Sequence, residues 1–399
     1  MKALLLENIH VDAVKLLESE GIEVETRKGA LDESELIEAV QDVELLGIRS
    51  KTHVTRRVLE SAPKLLSVGA FSIGVNQIDL EAAADASVAA FNAPYSNTRS
   101  VVELAIGEII NLARHLGDHT RNMHNGLWDK TAKGSHEVRG RTLGIIGYGN
   151  IGSQLSVLAE SLGMRVYFYD AVDRLALGNA VRCNSLEELL NTVETVSVHV
   201  DGRVENTNMF NAETFAMMRP RTIFLNLSRG HVVDLEALRD NLLSGHIAGA
   251  GLDVYPVEPK KAGDPFESVL QNIPNVLLTP HIGGSTAEAQ QDIGRFVAGK
   301  FRDYVRGGST YMSVNLPEIS LEPLTHGSRL LHLHQNVPGV MSSVNSVLGN
   351  HGVNIDRQQL ATRGQQGYVV TDASGEVPQS ALDEIRELEA TTRLTVLTA

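Results

Sequence analysis

Thr142-Leu143-Gly144-Ile145-Ile146-Gly147-Tyr148-Gly149-Asn150-Ile151-Gly152-Ser153 is the stretch on which the reading of this chain turns. Residues 142–146 make a short apolar run that reads as a buried strand, and apolar residues recur at helical spacing over 153–162. Between them stands Gly147-x-Gly149-x-x-Gly152. Such glycines permit a tight turn and the close approach of a pyrophosphate, whose charge rests on free amides at the helix N-terminus. The pattern alone is weak, but strand and helix flank it correctly, and Asp170 ends the next expected strand. A carboxylate there accepts hydrogen bonds from ribose hydroxyls and repels a 2′-phosphate, so the expected cofactor is NAD rather than NADP. The cofactor contacts read from this stretch are Gly147, Gly149, Gly152 and Asp170.

Outward from the glycine turn, strand-like runs at 143–146, 166–169, 195–199, 222–226, 248–252 and 276–279 alternate with helical stretches. Six strands in series suit a doubly wound parallel sheet. Upstream, runs at 4–6, 23–26, 45–48, 66–68 and 88–91 repeat the alternation and imply a first parallel sheet. One long helix is expected over 97–125, connecting the two series. Beyond Gly307-Gly308, Pro317, Pro323 and Gly327 mark a linker over 317–328. The last segment, 329–399, reads strand, helix, strand, strand, helix, strand, which is the ferredoxin-like order. The expected fold is therefore α/β, with two Rossmann-like doubly wound sheets and a small C-terminal ferredoxin-like domain.

A chain of 399 residues is too long for one core, so two or three domains are expected. The net charge of −14 argues against a nucleic-acid partner. No apolar run approaches the roughly 18 residues of a membrane span. Met1 to Glu7 reads as a first strand, because Glu7 follows a very short apolar run that leaves no room for a signal-peptide core. The single Cys183 cannot form an internal disulfide, which points to a reducing, cytoplasmic setting.

Three further segments lie at expected strand ends of the second series, where ligands bind in open α/β sheets. Asn226-Leu227-Ser228-Arg229-Gly230 offers a guanidinium whose fork can hold a carboxylate and the adjacent carbonyl oxygen. Asp253-Val254-Tyr255-Pro256-Val257-Glu258-Pro259 offers acids, and Pro280-His281-Ile282-Gly283-Gly284-Ser285-Thr286 an imidazole. Oxidising an alcohol to a ketone needs a base for the hydroxyl proton, and histidine beside a carboxylate suits that task. The expected catalytic residues are His281 as base, Glu258 as its partner and Arg229 as the carboxylate anchor. Taken singly, an Arg-Gly loop is often structural, a Glu between prolines is usually surface, and a lone His is more often packed than catalytic.

Together with the glycine fingerprint, these segments resemble the D-2-hydroxyacid dehydrogenase family, in particular its serine-inhibited branch with a C-terminal ACT domain. The resemblance runs from residue 1 to 399 and is closest over 226–234, 253–259 and 280–287. It implies the three catalytic roles just given. It adds cofactor contacts at Asn150, Ile151, Leu227, Ser228, Arg229, Asp253, His281, Ile282, Gly283 and Gly284. It further implies a discontinuous substrate domain of residues 1–96 and 285–316 around a nucleotide domain of 97–284.

For the substrate, Arg49, Ser50 and Lys51 supply phosphate donors at a strand end, and Asn97 sits at the hinge into the long helix, placed to bind a carboxylate. By resemblance Lys130, with Trp128, reaches a neighbouring subunit's site. Lys51 departs from the arginine that relatives tend to carry, so a point charge replaces a fork. In the last segment, His334, Asn336 and Asn354 match the serine-binding residues of the ACT domain, and two such domains side by side would form the site. Ser328 departs from the basic residue that commonly precedes Arg329. His332 and His334 have no acidic or thiol companions, and no metal is expected.

The activity implied is NAD-dependent oxidation of 3-phosphoglycerate to 3-phosphohydroxypyruvate, the entry step of serine synthesis, inhibited by L-serine, with reduction of 2-oxoglutarate as a side reaction. The implied assembly is a homotetramer, paired through the nucleotide and ACT domains. A glyoxylate or hydroxypyruvate reductase would share every catalytic residue and differ at Arg49, Lys51 and the ACT motif. A nucleotide-sensing corepressor on the same scaffold is the binding-protein alternative, and the acidic charge balance speaks against it.

Overall fold

The computed structural model describes residues 1–259 and 263–399, in two compact units: Met1–Ser96 with Gln290–Ala399, and Asn97–Ala289. The first unit opens with β1 (Lys2–Leu5), β2 (Glu23–Thr26), β3 (Leu45–Ile48), β4 (Ser67–Ala70) and β5 (Ala89–Asn92). These pair in parallel in the order β2-β1-β3-β4-β5. Strands β3, β4 and β5 are buried along their whole length, as apolar strands covered on both faces must be, whereas β2 is a partly exposed edge. The helix Ala287–Gly307 lies against β4 because Gly69 has no side chain there. A Cβ at Gly69 would stand 2.5 Å from Val297 and 2.7 Å from Phe301.

The second unit holds β6 (Thr142–Ile146), β7 (Arg165–Tyr169), β8 (Val181–Arg182), β9 (Thr195–Val198), β10 (Thr222–Asn226), β11 (Ile247–Leu252) and β12 (Val276–Leu278). All are parallel, in the order β12-β11-β10-β9-β6-β7-β8. The strand order reverses between β6 and β9, which opens a crevice at their carboxyl ends. The six expected strands are present, and β8 is a seventh, too short for periodicity to reveal. The single long helix expected over 97–125 is instead two, Thr98–Arg114 and Leu116–His124. His115 breaks it with φ 52° and ψ 35°. Tertiary bonds hold the break: Asn111 Oδ1 accepts from Gly117 N at 3.1 Å, and Asp118 accepts from Asn275 N at 2.7 Å.

The last segment returns to the first unit as β13 (Ser328–Gln335), β14 (Ile355–Arg363), β15 (Gln366–Ala373) and β16 (Thr391–Thr398), an antiparallel sheet in the order β14-β15-β13-β16. With helices Val340–Asn350 and Gln379–Arg386 this is the expected ferredoxin-like domain. Those helices cover one face through Leu330, Val344, Leu348 and Ile385. Leu331, Leu333, Tyr368 and Val370 belong to a core shared with Phe91, Phe301 and Tyr304. Residues 317–328, expected as a linker, are bonded at several points. Thr310 N donates to Ile319 O at 3.0 Å, and Arg329 NH1 donates to Gly307 O at 2.9 Å and Glu322 O at 2.8 Å. Arg329 also forms a buried pair with Asp372, 2.5 Å between Nε and Oδ1.

Phe301 is fully buried and meets Phe71 edge to face, with ring centroids 6.1 Å apart. Phe301→Ala should cost roughly 3–5 kcal/mol. The expected readout is a lowered urea midpoint followed by circular dichroism, and an unchanged midpoint would contradict this packing.

Candidate active site

The glycine turn leaves β6 at Gly147, whose φ of +88° suits a residue without a side chain. A Cβ at Gly147 would stand 2.5 Å from His199 O, and one at Gly152 would strike Gly147 O. Gly149 differs, because its missing Cβ points into open space with no protein atom within 4 Å. Packing demands the first and third glycines, and only an approaching ligand gives a reason for the second. Gly149 is also the N-cap of the helix Asn150–Ser161 and makes no side-chain cap, so the first-turn amides face outward uncapped. A cleft of about 210 Å³ opens here, lined by Gly147, Gly149, Asp170, Val172, His199 and Asn206 among others.

Asp170 accepts Tyr148 N at 2.8 Å and Val172 N at 2.8 Å, and Arg174 Nε stands 3.6 Å away. The backbone therefore fixes the carboxylate as an acceptor at the cleft wall. His199 was read in the sequence only as a strand end. Its Nε2 lies 2.8 Å from Ser197 Oγ, and burial pushes it down to about 4, so it is neutral. The signal that could have found it is its place after β9, on the far side of the strand reversal from Gly147.

The three loops that carry Arg229, Glu258 and His281 follow β10, β11 and β12. Gly230 explains how the first two come together, since a Cβ there would overlap the Tyr255–Pro256 peptide. Arg229 NH1 donates to Ser228 O at 2.7 Å, and the guanidinium has no salt-bridged carboxylate among the described residues. Asn226 steadies this loop, its Oδ1 accepting Ser228 N at 3.1 Å and Ser228 Oγ at 2.8 Å.

His281 Nδ1 lies 2.8 Å from Glu258 Oε2, and Glu258 Oε1 accepts Tyr255 N at 3.1 Å. His281 has φ 54°, a left-handed conformation that costs energy in a non-glycine residue and is met most often at functional sites. Asp253 holds it there. Its carboxylate is buried and accepts Thr279 Oγ1 at 2.6 Å, Ile282 N at 2.8 Å and Gly283 N at 2.7 Å. Asp253, expected as a cofactor contact, thus has both oxygens on the His281 loop. Asn97 reaches the same loop, packing its Nδ2 against Gly284.

The electrostatics agree with an ionised pair. Burial works to raise Glu258, but bonds from His281 and the Tyr255 amide, with the Arg229 charge, hold it below the usual carboxylate range. His281 is raised, first by the Glu258 hydrogen bond and further by the charges of Glu258 and Asp253, against burial and Arg229. With Nδ1 on the carboxylate, Nε2 is the nitrogen available as base. Behind the site, Glu108 on the helix Thr98–Arg114 packs against Gly251 of β11, and neither carboxyl oxygen has a hydrogen-bond partner. Burial, with the charge of Asp253, pushes Glu108 up to about 8. Helical spacing alone would place Glu108 on an outward face; in the fold it is 4% exposed.

In the first unit, Arg49, Ser50 and Lys51 form a loop organised by Glu7, whose carboxylate accepts Arg49 N at 3.1 Å, Lys51 N at 3.1 Å and Thr52 N at 2.9 Å. Glu7 carried no motif and was not singled out. In the second unit, Lys130 and Trp128 lie in an exposed loop. On the ferredoxin-like sheet, His334 is buried, with Nδ1 at 2.8 Å from Gln335 O. Asn336 donates to Gly364 O at 3.1 Å, beside the β14–β15 turn, whereas Asn354 donates to Asp356 Oδ1 and Ser374 Oγ, each at 3.3 Å, at the opposite end of β14. One chain does not bring Asn336 and Asn354 together.

Comparison with known proteins gives the same picture. Residues 106–283 match the NAD binding domain of D-isomer specific 2-hydroxyacid dehydrogenases, and residues 330–393 match an ACT domain like that of the AHAS small subunit. The chain is 49% identical to the D-3-phosphoglycerate dehydrogenase of Escherichia coli, over 100% of this chain and 97% of that one. It is 47% identical to D-3-phosphoglycerate dehydrogenase 2 of Saccharomyces cerevisiae, over 97% of this chain and 84% of that one. A solved D-lactate dehydrogenase of Aquifex aeolicus, complexed with NAD and lactic acid, superposes with a TM-score of 0.64 and 25% identity, over 76% of this chain and 95% of that one. No helix among the described residues is long and apolar enough to cross a membrane.

Glu108 gives a stability test. Its carboxyl rises from an ordinary 4.5 to about 8 on folding, so between those values the folded state holds a proton that the unfolded state releases. Stability attributable to this group is therefore full below the lower value and is lost as pH rises to the upper one. The melting temperature of Glu108→Gln relative to the parent should climb across this pH window, and parallel profiles would contradict the buried, unpaired state.

Proposed function

The chain belongs to the D-isomer-specific 2-hydroxyacid dehydrogenases, alongside the D-3-phosphoglycerate dehydrogenases, and on that premise we propose that it oxidises 3-phosphoglycerate to 3-phosphohydroxypyruvate with NAD. The observation that carries the reading is the His281–Glu258 pair at 2.8 Å, on the same sheet edge as the Arg229 guanidinium, which has no ion-pair partner among the described residues.

Bound NAD supplies the acceptor for the hydride that leaves the carbinol carbon. Gly147, Gly149, Asn150, Ile151 and Gly152 would hold its pyrophosphate on uncapped amides, and Asp170 its ribose hydroxyls. Leu227, Ser228, Ile282, Gly283 and Gly284 would line its reactive end. Arg229 forks the substrate carboxylate and the reacting oxygen, fixing the carbinol in one orientation. His281 Nε2 takes the hydroxyl proton as the carbonyl forms, and Glu258 stabilises the resulting imidazolium. Asp253 positions the loop that carries the imidazole. Arg49, Ser50 and Lys51 take the phosphate, Asn97 assists at the carboxylate, and Lys130 serves a neighbouring subunit's site.

Regulation follows from the ferredoxin-like domain. His334 and Asn336 of one chain, with Asn354 of a second, would bind L-serine, since Asn336 and Asn354 lie at opposite ends of β14. That pairing, with a second one between nucleotide domains, gives a homotetramer. The single buried Cys183 suits a cytoplasmic location.

The decisive assay follows NADH formation with 3-phosphoglycerate, then reduction of 3-phosphohydroxypyruvate beside unphosphorylated hydroxypyruvate, each with and without L-serine. Strong preference for the phosphorylated ketone is expected, and equal kcat/KM would overturn the substrate assignment. His281→Asn should lower kcat roughly 10²–10⁴-fold. Glu258→Gln removes the group that raises His281, so the acid limb of the kcat/KM profile for oxidation should move to lower pH. A limb that stays in place would exclude His281 as the titrating base.

A further inference from the structure

The seven-stranded sheet has a second concavity, of about 200 Å³, on the edge away from the catalytic loops. Arg141 stands just before β6, Glu194 just before β9 and Arg221 just before β10, so the cavity lies at the amino ends of the strands. Its wall includes Arg141, Arg219, Arg221, His115 and His136 around the single carboxylate of Glu194. Three guanidiniums against one carboxylate give this hollow the opposite sign to a chain whose net charge is −14.

Internal pairing does not account for this charge. Glu194 Oε2 accepts Thr142 N at 3.1 Å and Thr142 Oγ1 at 3.3 Å, and Oε1 stands 3.5 Å from Arg141 NH2. Arg141 is the most enclosed of the cations, 16% exposed, and its Nε is buried with no hydrogen-bond partner. Arg219 donates to Thr192 O at 3.3 Å. The Arg221 guanidinium has no hydrogen bond or ion pair among the described residues. Two wall residues also hold left-handed conformations, His115 at φ 52° and Arg221 at φ 69°, which are uphill for residues with side chains. Like charges gathered in one hollow repel one another unless a counter-ion joins them. A buried donor left without an acceptor is likewise unfavourable.

From this arrangement we propose that the cavity binds a compact, multiply charged oxyanion of the phosphate class. Guanidinium forks match the paired oxygens of a tetrahedral oxyanion, and several of them discriminate in favour of a dianion. The volume lies below the roughly 300–1,000 Å³ filled by larger organic ligands, which selects a free phosphate or the phosphate group of a small metabolite. The site is separate from the proposed substrate-phosphate loop at Arg49 and Lys51 and does not depend on the catalytic assignment.

Titration calorimetry on the full-length protein at constant ionic strength, with inorganic phosphate and with glycerol 2-phosphate, tests the site. In an Arg49→Ala/Lys51→Ala background, which removes the other phosphate locus, phosphate binding should persist. In Arg141→Gln/Arg219→Gln/Arg221→Gln it should weaken at least about tenfold while NADH production continues, a loss readily resolved by this method. Arg221→Gln alone, at an exposed position, should weaken it in the same direction and guards against misfolding of the triple variant. Comparable binding of the monoester would identify a phosphorylated metabolite as the source, and binding of phosphate alone would identify the free ion. Parent-like affinity in the Arg221→Gln and triple variants, or loss of all binding in the Arg49→Ala/Lys51→Ala background, would overturn the proposal.

Discussion

The buried carboxylate of Asp253 is the constraint on which the catalytic edge depends. It lies at the end of β11, and it ties down the loop after β12 through Thr279 Oγ1, Ile282 N and Gly283 N. Hydrogen bonds to an ionised acceptor are stronger than neutral ones, so together they can hold His281 in a backbone conformation it would otherwise leave. That conformation sets the direction of the imidazole, and hence its bond to Glu258. An uncompensated charge at this depth would be costly. The three donors compensate it, and burial pushes Glu108 behind it up to about 8, which favours its neutral form.

Small residues decide how the loops close on one another. Gly230 lets the Arg229 loop lie directly on the Tyr255–Pro256 peptide, and Gly284 accommodates Asn97. Gly147 and Gly152 fold the turn after β6 upon itself. Each is a place where one methyl group would collide with the backbone or side chain lying against it, so the geometry of the site is set as much by absent side chains as by present ones. The parallel sheet then gives the second unit two unlike edges. Carboxyl ends carry the glycine turn, His281 and Arg229, while amino ends carry the cluster of Arg141, Arg219 and Arg221. The helix Thr98–Arg114 runs between them, with Asn97 before its first residue and His115 after its last.

In the first unit the ACT domain is not a loosely tethered appendage. Its sheet shares apolar contacts with Phe91, Phe301 and Tyr304, and Tyr368 donates to Gly308 O at 2.6 Å. Arg393 adds a bond to Leu65 O at 2.7 Å. A ligand that alters this sheet therefore acts on elements packed directly against the five-stranded sheet. Asn336 and Asn354 bond at opposite ends of β14, so one chain does not bring them together.

Much was legible in the sequence because it depends on local pattern. Apolar runs of strand length, glycine spacing before an amphipathic helix, and the placement of Asp170, Arg229, Glu258 and His281 after strands follow from backbone period and turn chemistry, which a linear reading captures. Such pattern carried the two parallel sheets and the ferredoxin-like order. Other features depend on residues far apart in the chain, and there the sequence was silent or misleading. The helix expected over 97–125 breaks at His115, since Asn111, Asp118 and Asn275 form bonds that periodicity does not register. Glu108 looks like a solvated face residue until β11 covers it, and Glu7 has no motif although its carboxylate organises the loop at Arg49 and Lys51. Arginines at 141, 219 and 221 appear in the chain as scattered surface charge, and only the folded sheet gathers them into one hollow. Sequence determined which elements form and which residue types stand at their ends, because those are short-range properties. Tertiary structure alone decided which ends meet and which charges are left without partners, because burial and pairing are properties of neighbours in space.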